Sequence, residues 1–251
     1  MNKKNMKFYF LSLVVFLTAV LSAEEKLHVH FISGSKEYQS EESLKAFGAY
    51  LENTYEVMVT ASWVTDKATD LPEVDLIEKA DVLLVFARRL NLPADQMAKV
   101  RRHWDAEKGV VGVRTASHAF SDRINEIFDG KIMGGNYEGH FVDGVVEVIA
   151  TEGAATHPAT KKVGLLKSRK LYKAGELSSG AVILQTGTMQ LREGKTEAHP
   201  VTWVNQYGKK GRSFYTSLGV PTDFEDEKFL RMMVQAIYWA ADREVPPFKG
   251  D

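Results

Sequence analysis

The sequence predicts an α/β domain built on a mostly parallel, doubly wound sheet with helices on both faces. Short apolar runs alternate with helix-periodic segments, the links between them are short, and polar residues begin where each run stops. Leu27 to Ser33 (LHVHFIS) reads as the first strand, closed by the turn-prone Ser33-Gly34-Ser35. Glu41 to Asn53 carries Leu44, Phe47 and Leu51 at helical spacing, so one face of a helix is apolar. Tyr55 to Ala61 alternates as a second strand, and Pro72 to Lys79 reads as a short helix. Asp81 to Phe86 (DVLLVF) is continuously apolar, the pattern of a parallel strand covered on both sides. Leu92-Pro93 opens a further helix with Met97, Val100 and Trp104 inward, and Val110 to Val113 follows as a fourth strand.

The second half is richer in strands: Val145 to Ala150, Ala181 to Gln185, Val201 to Val204 and Arg212 to Ser217. The last two form a hairpin with a Gly/Lys turn, placing Trp203, Phe214 and Tyr215 in the core. The final helix, about Glu227 to Asp242, aligns Phe229, Met233, Ile237 and Ala240 on one stripe. No Pro/Gly/Ser-rich linker divides the chain, so residues 24–251 are expected to form one domain.

Residues 1–23 have the order of a secretory signal: Lys3, Lys4 and Lys7, an apolar run from Phe8 to Leu21, then small residues with a cut after Ser22 or Ala23. Periplasmic or secreted localisation is the expectation, with no membrane span left after cleavage. Without those lysines the body has 29 basic and 33 acidic residues, a net charge of −4, which disfavours nucleic acid as a partner. The chain has no cysteine, which removes every thiol mechanism.

In open α/β sheets ligands bind beyond the carboxyl ends of the strands. Ser33, Gly34, Glu37 and Tyr38 follow the first strand, Arg88 and Arg89 the third, and Arg114-Thr115-Ala116-Ser117-His118 the fourth. The last segment has the strand-to-turn placement of a nucleophile elbow, with Arg114 at the elbow itself. Arginine is a poor nucleophile, but its fork suits oxygen pairs; the alternative is that Arg114 pairs with a buried carboxylate and holds the loop. Ser117 and His118 are sequence neighbours whose side chains are expected to diverge. Gly134-Gly135-Asn136-Tyr137-Glu138-Gly139-His140 lets backbone approach a ligand or simply lets the chain turn, with Gly135, Asn136 and Glu138 as candidate contacts and His140 as an acid/base, a metal ligand or a structural donor. His28 and His30 share one face of a strand and read as packed residues, while His157-Pro158 and His199-Pro200 read as loop and strand-start features. No metal ligand and no cofactor is assigned.

These segments together resemble the ThuA-like (trehalose utilisation) family. Val110 to Phe120, Gly134 to His140, His157-Pro158, Val201-Thr202-Trp203, Gly211 to Gly219 and Ala236 to Ala240 carry the resemblance in order. It implies a flavodoxin-like, class I glutamine amidotransferase-like fold and a link with disaccharide or keto-sugar use. Amidotransferases of that fold hold a cysteine at the elbow, where this chain has Arg114. Many family members carry Gly-His after the Phe-Tyr-Thr strand; here Gly219 is followed by Val220. The expected ligand is therefore a small carbohydrate, bound or converted at the strand ends, with Arg114 orienting oxygens and His118 or His140 moving protons. Thr115, Ser117 and the strand-end residues named above complete the binding set. A non-catalytic binding or docking module and a metal-dependent hydrolase are the alternatives.

Overall fold

The computed structural model describes residues 25–191 and 194–248. The proposed export segment lies outside them. Among the described residues, no helix is long and apolar enough to cross a membrane.

Among the described residues, eleven strands alternate with four α-helices. β1 (Leu27–Gly34), β2 (Val57–Trp63), β3 (Val82–Ala87) and β4 (Gly109–Val113) bracket α1 (Ser40–Thr54) and α2 (Ala94–Asp105). α3 (Asp122–Asn125) continues as a π-helix, Glu126–Met133, before β5 (Tyr137–His140), β6 (Val145–Ala150), β7 (Leu166–Arg169) and β8 (Tyr172–Ala174). β9 (Ala181–Gln190), β10 (Thr196–Tyr207), β11 (Gly211–Thr216) and α4 (Glu227–Ala240) complete the order. The large sheet runs β2-β1-β3-β4-β11-β10-β9-β6-β7. The first five are parallel, in the flavodoxin-like order, while β10, β9, β6 and β7 add on antiparallel. β5 and β8 form a separate two-stranded ribbon.

Strand alternation explains why both faces are covered. On β3, Val82, Leu84 and Phe86 face the layer of α1 and α4, with Phe47, Leu51, Phe229 and Ile237. Leu83 and Val85 face the opposite layer, with Val100, Trp104 and Phe128. Period-two side-chain direction gives each strand two buried faces, hence the continuous apolar runs. Two expected elements differ. Val74–Lys79 winds as a 3₁₀-helix, and Pro200 lies inside β10 at a register shift, not at a strand start. A bulge is where a sheet tolerates a residue without an N–H.

Candidate functional site

The chain leaves β4 at Arg114 with φ 49°, a left-handed conformation that a non-glycine residue adopts only under constraint. The constraint is visible on all sides. The Tyr215 hydroxyl donates to the Arg114 carbonyl at 2.7 Å, and the Ser117 hydroxyl donates to the same oxygen at 3.3 Å. The guanidinium turns inward: Nη1 donates to the Ser217 carbonyl at 2.6 Å and Nη2 to the Lys170 carbonyl at 3.3 Å. Its Cζ lies 4.1 Å from the Tyr38 ring centre and 4.7 Å from that of Tyr172. Arg114 is thus an elbow residue, as its position in the sequence indicates, but its side chain is wholly buried. Neither the oxygen-orienting role nor a carboxylate partner fits: backbone carbonyls and two aromatic faces hold the charge.

After the elbow, Arg114–His118 forms one 3₁₀ turn, and this turn brings the neighbouring side chains of Ser117 and His118 together instead of apart. Ser117 Oγ stands 3.1 Å from His118 Nδ1. The imidazole stacks on Tyr137 with ring centres 4.5 Å apart, and the Tyr137 hydroxyl reaches His140 Nδ1 at 3.2 Å. The two histidines singled out in the sequence are therefore joined through one tyrosine. Burial pulls the His118 pKa down to about 4, and Arg88 and Arg89 press it the same way, so the imidazole is neutral near pH 7. Its pKa therefore lies well below the range that suits proton transfer near neutrality.

A residue the sequence reading missed has the better-placed pKa. Asp129 sits on the π-helix, buried, and desolvation raises its carboxyl to about 7 against the pull of the Tyr137 N–H. That N–H donates to Oδ2 at 3.2 Å, while Oδ1 has no hydrogen-bond partner among the described residues. The widened helix frees backbone carbonyls at its end. β10 and β11 satisfy them: Trp203 Nε1 donates to Met133 O at 2.8 Å, Asn205 Nδ2 to Ile132 O at 3.0 Å, and Ser213 Oγ to Ile132 O at 2.6 Å. These bonds fix where Asp129 points. Gly135 leaves room for it, since a Cβ there would stand 2.5 Å from Oδ1.

The cavity at this end of the sheet measures about 610 Å³ and is lined by Ser117, His118, Asn125, Asp129, Asn136 and Tyr137, with Glu126, Glu176 and Ser178 at its side. Behind it a narrow slot of about 10 Å³ lies among Ser117, Asp129, Tyr172, Trp203 and Tyr215. Of the residues expected from sequence, Ser117, His118, Gly135 and Asn136 line this cavity. The first-strand group does not. Ser33 is buried and pairs its hydroxyl with Ser40 at 2.8 Å, and Gly34 is packed against Val64, Leu90 and Ala87. Tyr38 is buried against Arg114, and Glu37 closes over it in an ion pair with Lys170 at 3.1 Å. Arg88 pairs with Asp66 at 3.1 Å, and Thr115 is buried with a hydroxyl that has no partner among the described residues. Glu138 is exposed and lies over Gly175, and His140 is exposed at the outer side of Tyr137. The segment around Lys170 and Tyr172 lies over the first-strand group, with Lys170 against Glu37 and the Tyr38 ring and Tyr172 against Arg114, and the cavity opens instead beside His118 and the π-helix.

His28 and His30 share the Thr60 hydroxyl at 2.8 Å each, and burial carries the His30 pKa down to about 4. Among the described residues, no group of three or more His, Asp or Glu side chains is arranged to hold a metal ion.

Comparison with known proteins agrees with this architecture. Residues 28–240 match the family described as ThuA, trehalose utilisation. The chain belongs to the ThuA family. A ThuA-like protein of Bacteroides uniformis superposes with a TM-score of 0.65 at 14% identity, covering 89% of this chain and 94% of its own. A ThuA-like protein of Parabacteroides merdae gives 0.64 at 16% identity, covering 88% and 92%. At such identities the likeness extends to the ThuA fold and no further. No curated protein matches the chain.

Proposed function

We propose that this ThuA family member is exported and binds a carbohydrate, a disaccharide or a keto-sugar, in the cavity bordered by Ser117, His118 and Tyr137. The observation that carries the reading is the lining itself: hydroxyl, amide and carboxyl groups beside the edge of an aromatic stack, at the carboxyl ends of parallel strands. Polyhydroxy ligands need acceptors and donors in number, with an apolar ring face against aromatic carbon. A cavity of about 610 Å³ has the size of a small-ligand site. Conversion of a keto-sugar would use Asp129, whose pKa of about 7 suits proton transfer near neutrality. Glutamine hydrolysis through an elbow thiol has no residue to perform it, because the chain has no cysteine. Localisation in the periplasm or outside the cell rests on the N-terminal segment.

A thermal-shift panel of disaccharides, keto-sugars and sugar acids tests the reading. A ligand at about 100 times its Kd stabilises by about 2.7 kcal/mol, which is about 5–10 °C in Tm for a chain of this size. If no sugar moves the midpoint, the carbohydrate reading fails. If a sugar binds and incubation yields product, the protein is an enzyme; saturable binding without product makes it a binding module.

A further inference from the structure

The cavity and the slot behind it share Ser117, Asp129, Asn136 and Tyr137, of which Asp129 alone is ionisable near neutrality. The slot, at about 10 Å³, has room for about one water-sized atom, so it can accept one oxygen of a ligand held in the larger space. Asp129 Oδ1 has no partner among the described residues, although the residue is only 7% exposed. A buried acceptor left open in this way costs stability unless something donates to it.

The charged residues of the lining itself are acidic, while Arg88 and Arg89 act on His118 from outside it. Glu126 and Glu176 line the cavity with Asp129, and no lysine or arginine does so among the described residues. Lys173 borders the slot, but its ammonium stands over the Phe141 ring, 4.6 Å from the centre. Arg114, the nearest buried cation, has its guanidinium engaged by two carbonyls and two rings. His118 is neutral near pH 7. An anionic ligand would meet carboxylates with no cation in the lining, while a hydroxyl would meet an unpaired acceptor.

We propose that Asp129 is the specificity-determining residue of this cavity, accepting a hydrogen bond from one hydroxyl of a neutral sugar at Oδ1 and turning away sugar acids and sugar phosphates. This rests on the carbohydrate reading above and narrows it to uncharged ligands. Gly135 belongs to the same device, because any side chain there would crowd Oδ1.

The test is calorimetric titration of the full protein near pH 8 with matched pairs: trehalose against trehalose 6-phosphate, and glucose against glucuronate. The neutral member of each pair should bind at least about tenfold more tightly, the factor expected for one buried hydrogen bond to a charged group. In Asp129→Asn that ratio should fall to about threefold or less, with circular dichroism confirming the fold. Gly135→Ala, which keeps the carboxylate but crowds Oδ1, should weaken the neutral sugars by a comparable factor. A ratio near one in the wild type, or a ratio unchanged in Asp129→Asn, overturns the assignment while leaving carbohydrate binding intact. If Asp129→Asn does not fold, undiminished binding by Gly135→Ala overturns it instead. Absence of binding by every sugar, charged or neutral, overturns the carbohydrate reading itself.

Discussion

Replacing Asp129 by asparagine should change the pH dependence of folding in a way that needs no ligand. The carboxyl has a pKa of about 7 in the fold against an ordinary 3.8, because burial disfavours its charged form. Below about pH 4 it is protonated in both folded and unfolded chains and contributes no difference. As pH rises from there, the unfolded chain gives up the proton while the folded one keeps it, so stability falls until the folded group also ionises near pH 7. About three pKa units correspond to about 4 kcal/mol. Asparagine has the same shape and does not titrate. The variant's stability relative to wild type should therefore climb by about 4 kcal/mol between about pH 4 and pH 8, by urea denaturation at intervals across that range. His30, His103 and His118 act in the opposite sense. Burial lowers each to about 4 from 6.5, so their contribution is lost as pH falls below 6.5. They are common to both proteins and cancel in the difference. A difference between variant and wild type that stays flat with pH would refute the claim that desolvation governs this carboxyl.

Other substitutions test other parts of the argument. Arg114→Met removes the donors to Ser217 O and Lys170 O and the charge between Tyr38 and Tyr172, and should cost about 2–4 kcal/mol in chemical denaturation. Asn205→Ala deprives the end of the π-helix of its cap on Lys131 O and Ile132 O; a loss of about 1–3 kcal/mol is expected, with faster amide exchange over residues 129–135. Gly109→Ala puts a methyl group 2.6 Å from the Ala240 carbonyl and should lower stability by about 1–3 kcal/mol, measured by thermal melting. Tyr137→Phe keeps the stack on His118 but removes the hydroxyl at His140, so the His140 ring resonances should shift in NMR while stability changes by less than about 1 kcal/mol.

The parallel half of the fold was legible because its signals are local. DVLLVF can bury both faces only in a covered strand, and the spacing of Leu44, Phe47 and Leu51 marks one helical face. In the second half, β6, β9, β10 and β11 were legible but not β5, β7 and β8, whose four, four and three residues are too short to show a period. That gap mattered for the site. The segment carrying Lys170 and Tyr172 lies over Glu37 and Tyr38, so the strand-end rule named residues that this segment covers together with residues that line the cavity. Asp129 gave no sequence signal: Asp122 to Met133 shows no unusual composition, and the extra residue per turn of a π-helix is set by the carbonyl partners on β10 and β11. Ser117 and His118 were misjudged because adjacent residues diverge in a strand but can converge across a tight turn.

Arg114 makes the elbow a keystone rather than a hook. Tyr38 belongs to the segment after β1, Tyr172 to β8, Lys170 to the link before it and Ser217 to the end of β11, so one guanidinium clamps together pieces of chain distant in sequence. A cysteine grafted onto this position would therefore inherit none of the setting a thiolate requires. It would face inward between two phenol rings, beside a void the size of the missing guanidinium and two carbonyls stripped of their donors. Installing amide chemistry on this scaffold would mean rebuilding three segments at once, and that coupling puts a working nucleophile at this elbow far more than one substitution away.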